Sequence, residues 1–403
     1  MSEQHTVVEV TEPPEGLPPL IDTDEGLAEV AASLAAGTGP VAIDTERAGS
    51  YRYSDRAYLV QLHREGSGSF LIDPLPFGTL PNIQAAINGV PWIFHAVLAD
   101  LPACRDLGLE PTSVFDTELA ARLLNLPNVG LGGVVEDLLG IHLKKAHSAA
   151  NWSRRPIPVD WIRYATLDVE YLIPLRALML DALEKQGKTD IAHEEFAALL
   201  TNPAGYTRPP DWTHLHGLTG LHQNAQRHVA QALWTLRNEI ARAKDLSPHR
   251  IYPDRAIIQA ARQRPRSRIR LAAILGTRPD GALAAQAWEI FRAASEDGTP
   301  LEVPRPLFPQ TKVWSHARPL ADARLRLARR DLAVLAAHED MPAENLLEPH
   351  VLKAVCWEPP STLTAPEVAE SLRAAGAREW QVTRTAAALS VSFTQAELAT
   401  ANA

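Results

Sequence analysis

The sequence predicts an α/β domain followed by two smaller all-α domains. In the first half of the chain, short apolar runs alternate with longer helical patterns, which is typical of a sheet flanked by helices. The rest is rich in Ala, Leu and Arg, with apolar residues three to four apart, which predicts helices. Two proline-rich stretches, 201–212 and 296–310, lack either period and predict the connections. We therefore expect domains at 1–205, 212–293 and 310–403.

Composition excludes several classes of protein. With 403 residues, 46% hydrophobic and 22% charged, the chain has the composition of a soluble globular protein with more than one core. No apolar stretch approaches the roughly 20 residues of a membrane span, and the first residues lack a signal-peptide pattern, so we expect a cytoplasmic protein with no membrane partner. The two cysteines, Cys104 and Cys356, form no CxxC pattern, so neither a disulfide framework nor a zinc site is predicted.

The net charge of −9 is unevenly distributed. Residues 1–46 contain ten acidic and no basic residues, which leaves the rest of the chain close to neutral. Residues 211–270 contain eleven basic and four acidic residues, and five of the arginines fall at alternate positions: Arg262, Arg264, Arg266, Arg268 and Arg270. This surplus favours a surface that binds nucleic-acid phosphates, although an ordinary solvated face would explain it too.

Two acidic residues end the first strongly apolar strand pattern, "VAIDTE". Because side chains two apart share a face of a strand, Asp44 and Glu46 should project together. Neighbouring carboxylates repel, so a fold keeps them in water, with a shared proton, or around hard cations such as Mg²⁺ or Mn²⁺. Taken alone, the pair is equally consistent with a solvated strand end.

Two later segments supply matching groups. Asp100 follows the apolar run "WIFHAVL" at the start of a predicted helix. A second helix, which we expect Asp160 to N-cap, places Tyr164 and Asp168 one turn apart on the same face. Acidic groups in this order predict a site for two cations about 3.5 to 4 Å apart, which act on a phosphodiester. The tyrosine hydroxyl would then orient the attacking water.

The three segments "IDTE", "FHAVLAD" and "YATLDVEYL" resemble the exonuclease motifs of the DEDD superfamily in its tyrosine-bearing branch, and most closely the ribonuclease D family. The resemblance covers roughly residues 20–200. It implies a ribonuclease H-like 3′–5′ exonuclease fold, with a mixed sheet flanked by helices, and hydrolysis that releases nucleoside 5′-monophosphates. It also implies water orientation by Tyr164 and ligation of two Mg²⁺ or Mn²⁺ ions by Asp44, Glu46, Asp100 and Asp168.

Other residues near these motifs have alternative roles. The family usually has Asp-Trp where this chain has Asn151-Trp152, which affects a loop rather than a ligand. Asp116 competes for the third ligand position, but its place before an amphipathic run favours a helix cap or a supporting role. His95 is expected to be packed and hydrogen-bonded, because Mg²⁺ prefers oxygen. Three basic residues before the last motif either hold substrate phosphates or face solvent: Lys145, Arg154 and Arg155.

The helical blocks carry a resemblance of their own. Residues 212–293, with "ALWTLRNEIARAKDLSPHRIYPDRAIIQAA", resemble an HRDC domain, which implies an auxiliary nucleic-acid-binding bundle. The family usually has Arg-Asp-Glu where this chain has Arg237-Asn238-Glu239. The last block resembles the degenerate second HRDC-type domain of ribonuclease D, without a basic surplus. The two blocks repeat a pattern at a period of roughly 95 residues, which a chance match between Ala-rich helices would also explain.

These observations together predict a divalent-metal-dependent 3′–5′ exoribonuclease that trims RNA 3′ ends such as those of transfer RNA precursors, without a small-molecule cofactor. Two alternatives stay open. One is a nucleic-acid-binding protein whose nuclease fold has lost its activity, and the other is the same chemistry on DNA. The preference for RNA rests on the family resemblance alone, because no residue in the sequence indicates recognition of the 2′-hydroxyl.

Overall fold

The computed structural model describes residues 7–144, 147, 149–201, 211–303 and 307–401. The strands of the first block are β1 (Val8–Val10), β2 (Leu20–Ile21), β3 (Thr38–Arg47), β4 (Ala57–Glu65), β5 (Gly68–Ile72), β6 (Trp92–Phe94), β7 (Val114–Asp116) and β8 (Ile141–Leu143). Its helices are α1 (Asp24–Ala36), α2 (Pro81–Ala86), α3 (Val97–Asp106), α4 (Thr117–Leu123), α5 (Leu131–Leu139), α6 (Val159–Glu170), α7 (Leu172–Lys185) and α8 (Thr189–Thr201).

A mixed sheet organises this block, in the order β2–β5–β4–β3–β6–β7. Strand β3 pairs antiparallel with β4 and parallel with β6. Its apolar residues Val41, Ala42 and Ile43 are fully buried, because helices cover both sides of the central strands. The pairing sets Asp44 directly opposite Gln61 on β4, so the two side chains share a face of the sheet.

The second and third blocks are helical. The second contains α9 (Asn224–Lys244), α10 (Pro248–Ile251), α11 (Asp254–Gln263), α12 (Arg268–Leu275) and α13 (Ala282–Glu296). The third contains α14 (Trp314–Ala317), α15 (Pro319–His338), α16 (Ala343–Leu346), α17 (Pro349–Trp357), α18 (Ala365–Ala374) and α19 (Glu379–Ala401). Helices α15 to α19 begin 95 to 97 residues after α9 to α13, in the same order, which agrees with the repeat pattern in the sequence.

The two helical blocks attach to the first block in different ways. The third block shares one continuous apolar core with it, and the second has a core of its own around Leu233 and Ile257. Buried polar contacts add to the shared core: the Trp380 indole donates to Glu195 at 2.8 Å, and the Lys188 ammonium donates to the carbonyls of Leu123 and Asp340 at 2.7 and 2.8 Å.

The second block attaches through polar contacts to the loop between β3 and β4. One carboxylate oxygen of Asp245, at the end of α9, accepts from the Tyr53 and Ser54 amides and from the Ser54 hydroxyl, at 3.0 to 3.2 Å. Asn238 accepts from the Tyr53 hydroxyl at 3.1 Å. The Arg250 guanidinium lies over the Tyr51 ring, 4.5 Å from its centroid.

The predicted fold class is confirmed, with a mixed sheet and flanking helices in the first block and helices in the other two. Both cysteines are buried and free. Within the described ranges, no helix has both the length and the apolar character that crossing a bilayer requires. The boundaries at 205, 212, 293 and 310 stay predictions, and residues near the first and last of them lie outside the described part of the chain.

Candidate active site

A cavity of about 670 Å³ opens between β3, α3 and α6, and all five predicted catalytic side chains line it. Asp44 and Glu46 come from β3, Asp100 from α3, and Tyr164 and Asp168 from α6. Segments that are more than 100 residues apart in the sequence therefore meet at one face of the sheet. The geometry agrees with the strand alternation and the helical spacing from which the site was predicted.

Three of the four carboxylates form a compact cluster. One oxygen each from Asp44, Glu46 and Asp168 lies within 4.8 Å of the others. Asp100 lies beside this cluster, but one of its oxygens accepts a hydrogen bond from the Thr45 hydroxyl at 2.7 Å. The structure thus brings Asp100 into the same cavity without placing it in the group of three.

The helix that carries Asp100 is held by another acid. Asp116 accepts from the amides of Ala96 and Val97 at the start of α3, both at 3.0 Å, and also caps α4. Ala96 has φ of 63°, a left-handed conformation that turns the chain sharply before α3. With its oxygens occupied by backbone donors, Asp116 supports the site, as its position before an amphipathic run predicts.

Helix α6 orients the remaining two groups. Tyr164 and Asp168 lie one turn apart on α6, and both side chains line the cavity. The predicted cap is wrong: α6 begins at Val159 after Pro158, so Asp160 falls within the first turn, where it pairs with Arg163 at 2.6 Å. Pro158, whose backbone is extended with ψ of 142°, is the residue before the helix and takes the cap position expected for Asp160.

Burial changes the acidity of these groups. Burial, followed by the charges of neighbouring carboxylates, raises the pKa values of Asp44 and Glu46 well above their ordinary range. Burial raises the pKa of Asp100 to about 6 and that of Asp168 to about 7. The same two causes raise the pKa of Tyr164, so its hydroxyl keeps its proton at neutral pH.

A divalent cation fits this donor set. Crowded carboxylates with raised pKa values gain from a positive charge among them, and carboxylate oxygen is the ligand type that Mg²⁺ and Mn²⁺ prefer. His95 is not needed as a ligand. Its Nδ1 hydrogen-bonds to Thr117 at 2.9 Å, and burial lowers its pKa to about 4, so it is a neutral, packed histidine as expected.

Several residues of the cavity region escaped the sequence analysis. The buried Gln61 amide donates to Asp44 at 3.1 Å, and Thr45 binds Asp100 as described above. The His147 ring lies at the cavity wall, edge-on to Tyr164, with 6.0 Å between ring centroids. Arg163 also lines the cavity. Of these, only Gln61 had a usable signal, because a polar residue within the apolar run "YLVQL" predicts a buried hydrogen bond.

The basic residues before α6 differ in their surroundings. Lys145 lies outside the described residues, and Arg154 is exposed. Arg155 donates to Asp73 at 2.6 Å and to the Tyr58 carbonyl at 2.8 Å, besides two carbonyls of its own loop. These contacts give Arg155 a structural role in holding the segment that leads to α6.

The five alternate arginines do not follow a strand. They extend over the end of α11, the connecting turn and the first turn of α12, and all five are exposed. Arg262 donates to the Gly217 carbonyl at 3.4 Å and Arg264 to the Ser295 carbonyl at 3.2 Å. For Arg266, Arg268 and Arg270, no side-chain hydrogen bond or ion pair occurs within the described ranges.

Comparison with protein families matches each block of the chain. Residues 18–184 match the model of a 3′–5′ exonuclease, and residues 226–283 match that of an HRDC domain. Residues 308–393 match a model described as a 3′ to 5′ exonuclease C-terminal domain. The exonuclease match contains all five predicted catalytic residues. For the last block, the likeness to an HRDC domain in particular stays a prediction.

Whole-chain comparisons agree. The chain is 31% identical to ribonuclease D of Sphingobium indicum and 32% identical to that of Jannaschia sp., over 64% and 62% of its length and 67% of each relative's. A solved structure of a Bifidobacterium adolescentis protein aligns with a TM-score of 0.84 and 33% identity, covering 96% of this chain and 100% of that one. Ribonuclease D of Escherichia coli shares the fold, with a TM-score of 0.67 and 22% identity over 89% of this chain and 98% of its own. The chain belongs to the ribonuclease D family.

Proposed function

We propose that the protein uses two divalent metal ions, Mg²⁺ or Mn²⁺, to hydrolyse the last phosphodiester at RNA 3′ ends, releasing nucleoside 5′-monophosphates. Membership of the ribonuclease D family makes the chain a 3′–5′ exoribonuclease. The observation that carries the proposal is the cluster of Asp44, Glu46 and Asp168, with Tyr164 one helical turn from Asp168 and lining the same cavity.

Each side chain has a separate task in this reaction. Asp44, Glu46 and Asp168 would hold the cations, and Asp100, beside them, would complete the set. Bound cations supply the Lewis acidity that activates water and stabilises the leaving oxygen. Gln61 and Thr45 keep two of the carboxylates in fixed orientations through their hydrogen bonds, which is how residues behind a metal site usually act.

Tyr164 would orient the attacking water and would not act as a base. Its raised pKa keeps the hydroxyl protonated, so it can donate a hydrogen bond but cannot accept the proton of water. Its ring is fixed by the aromatic residues Trp152 and His147, at 6.5 and 6.0 Å between centroids. A group placed in this way typically contributes about 10²- to 10⁴-fold to a rate.

The proposed substrates are RNAs with a free 3′ end, including transfer RNA precursors. Support comes from the ribonuclease D relatives and from the exposed basic residues of the HRDC block, which suit phosphate. Recognition of the 2′-hydroxyl has no assigned residue, so DNA is the alternative substrate. An inactive nucleic-acid-binding protein is disfavoured, because every predicted catalytic position holds a competent side chain.

The test is a degradation assay with 3′-extended transfer RNA and a matched single-stranded DNA, in Mg²⁺, Mn²⁺ or EDTA. We expect stepwise shortening of the RNA from its 3′ end, with release of mononucleotides and complete inhibition by EDTA. Asp44→Asn should abolish turnover and leave RNA binding largely intact. Glu65→Gln, an exposed acid at the end of β4, is the matched control and should retain full activity.

Each alternative gives a different result in the same assay. Equal shortening of DNA and RNA would show that the substrate class is wrong. Binding without turnover in either metal would favour the inactive nucleic-acid-binding protein. Full turnover by Asp44→Asn would place the active site elsewhere.

A further inference from the structure

The mechanism above leaves several charged residues of the cavity wall unused, and Arg163 is one of them. Arg163 precedes Tyr164 on α6 and lines the same cavity as the catalytic carboxylates. Its Nη1 donates to Asp160 at 2.6 Å, and its Nε lies 2.8 Å from a carboxylate oxygen of Glu12. Its side chain remains 27% exposed, so the guanidinium is reachable from the cavity.

Glu12 reaches this place on a weakly held segment. It follows β1, a strand of three residues whose parallel partner is β8. Two-stranded pairings of this length contribute little stability by themselves. Val8 on this strand and Val7 just before it are also largely exposed, at 57% and 46%. Displacing the segment should therefore cost little free energy.

The ion pair itself is easily exchanged. The Glu12 side chain is 60% exposed and that of Asp160 is 77% exposed, and pairs this exposed contribute little free energy because water screens them. The contact between Nε and Glu12 is also poorly aligned, because Nε makes no hydrogen bond to the described residues. A better-matched anion could take the place of Glu12 without leaving a buried charge unpaired.

RNA brings such an anion. The planar guanidinium fork binds phosphate as well as carboxylate, so a phosphate oxygen could take the place of Glu12 with better alignment. A chain that feeds its 3′ end to the carboxylates must pass the walls of this cavity, and Arg163 is next to Tyr164 on one of them. The pair with Asp160 is an ordinary contact between residues three apart on a helix, but Glu12 comes from a separate segment that also lines the cavity.

We propose that Arg163 binds a phosphate of the RNA substrate and that Glu12 occupies its guanidinium until RNA displaces it. This inference rests on the proposed function for the identity of the polyanion. Glu12 then competes with the RNA phosphate for Arg163 and lowers the affinity of the free enzyme for RNA. Only RNA that binds strongly enough to displace Glu12 reaches the cavity.

The test uses the full chain with Arg163→Gln, Glu12→Gln and Glu9→Gln, and with Arg163→Gln combined with each of the two Glu variants. Glu9→Gln is the matched control, because Glu9 is an exposed acid on β1 and carries the same change of charge. Kd is measured by fluorescence anisotropy with a 5′-labelled single-stranded oligoribonucleotide in Ca²⁺, with gels to check that the RNA stays intact. KM and kcat are measured in Mg²⁺, and thermal unfolding verifies that each variant is folded.

We expect Arg163→Gln to raise Kd and KM about tenfold, which is what loss of one charged hydrogen bond gives, with kcat within twofold of wild type. Glu12→Gln should lower Kd and KM severalfold, by more than Glu9→Gln does. In the Arg163→Gln background, Glu12→Gln should have no more effect than Glu9→Gln has there.

Unchanged Kd and KM in Arg163→Gln would overturn the phosphate contact, and so would a loss of kcat with unchanged Kd. Equal effects of Glu12→Gln and Glu9→Gln would overturn the displacement, because charge alone would then explain both. If the wild-type chain releases no mononucleotide, the proposed function fails, but the Kd series still decides whether Arg163 and Glu12 act as proposed.

Discussion

Each of the four predicted metal-binding carboxyls has a pKa raised above its ordinary value. Burial is the main cause, and the neighbouring negative charges add to it. Gln61 and Thr45 offset part of this cost by donating hydrogen bonds to Asp44 and Asp100. The remaining cost is removed when a cation binds, so metal affinity and protein stability should be linked through these groups.

The pH dependence of stability should reveal this linkage. For a carboxyl with a raised pKa, the folded state binds more protons than the unfolded state, so stability is lost as pH rises. For Asp168 the loss extends from its ordinary pKa of 3.8 to about 7, at up to about 1.4 kcal/mol per pH unit. We expect the unfolding free energy in EDTA to fall over this window, and Mg²⁺ to restore more stability at pH 8 than at pH 5.5.

The variant Asp168→Asn isolates this effect in chemical denaturation from pH 5 to 8. It should flatten the fall in EDTA and reduce the gain in Mg²⁺, and Glu65→Gln should do neither. The comparison is needed because His95, with its pKa lowered from 6.5 to about 4, acts in the opposite direction over part of this range. Parallel pH curves for wild type and Asp168→Asn would contradict the prediction.

At this scale the sequence reveals the groups but not all of their contacts. Local periodicity predicts which neighbouring side chains share a face. It therefore predicts the pairs Asp44 and Glu46 on a strand, and Tyr164 and Asp168 on a helix. The bond from Gln61 to Asp44 depends on the register between two strands, which no local pattern specifies. The turn of Asp100 toward Thr45 likewise depends on how α3 packs against the sheet.

Among the elements, the segment from α11 to α12 carries the five alternate arginines. They follow a helix end, a turn and a helix start rather than one face of a single element. Arg262 and Arg264 already donate to backbone carbonyls. The arginines left to contact phosphate are therefore Arg266, Arg268 and Arg270.

We predict a measurable salt dependence from these three arginines. If each meets one phosphate of single-stranded RNA, they contribute about −0.7 × 3, or roughly −2, to the logarithmic salt slope. Replacing all three with Gln should remove that part of the slope. In the wild type, that part corresponds to an RNA affinity about twentyfold weaker at 200 mM than at 50 mM salt. Anisotropy titrations at several salt concentrations measure this.

The matched control replaces three other exposed arginines of the same block, Arg255, Arg278 and Arg292, with the same loss of charge. Its slope should stay closer to that of wild type. Equal slopes for the two triple variants would show that the block attracts RNA only through its overall charge.

In the whole molecule, the three blocks follow the predicted order, because linker composition and helical periodicity are strong signals. Their attachment was not predictable. Asp245 has a left-handed backbone, with φ of 46°, at the end of α9, and from there its carboxylate caps the loop after the catalytic strand β3. Asn238, where the family usually has Asp, contacts the same loop. Contacts between residues that are 185 to 192 positions apart in the sequence leave no local pattern from which they could be predicted.

Asp245→Ala should loosen the second block from the nuclease without unfolding either. It removes the acceptor of two amides and one hydroxyl in the loop at 48–56. We expect faster amide hydrogen exchange at Tyr53 and Ser54, and a larger radius of gyration by solution scattering, with the helical content unchanged. Asp254→Ala, which breaks a pair internal to the second block with Arg237, is the control and should leave the loop protected. Unchanged exchange in Asp245→Ala would show that other contacts hold the interface.

The apolar core that the first and third blocks share has a practical consequence for anyone who shortens or recombines this protein. A gene fragment that stops after the exonuclease match at residue 184 would lack Lys188 and Glu195, which hydrogen-bond near or to the last block. It would also expose the apolar surface that the last block normally covers. Such a fragment should aggregate during expression. Removing the HRDC segment and splicing its neighbours together would spare that surface, so the domain in the middle of the gene is the easier one to excise.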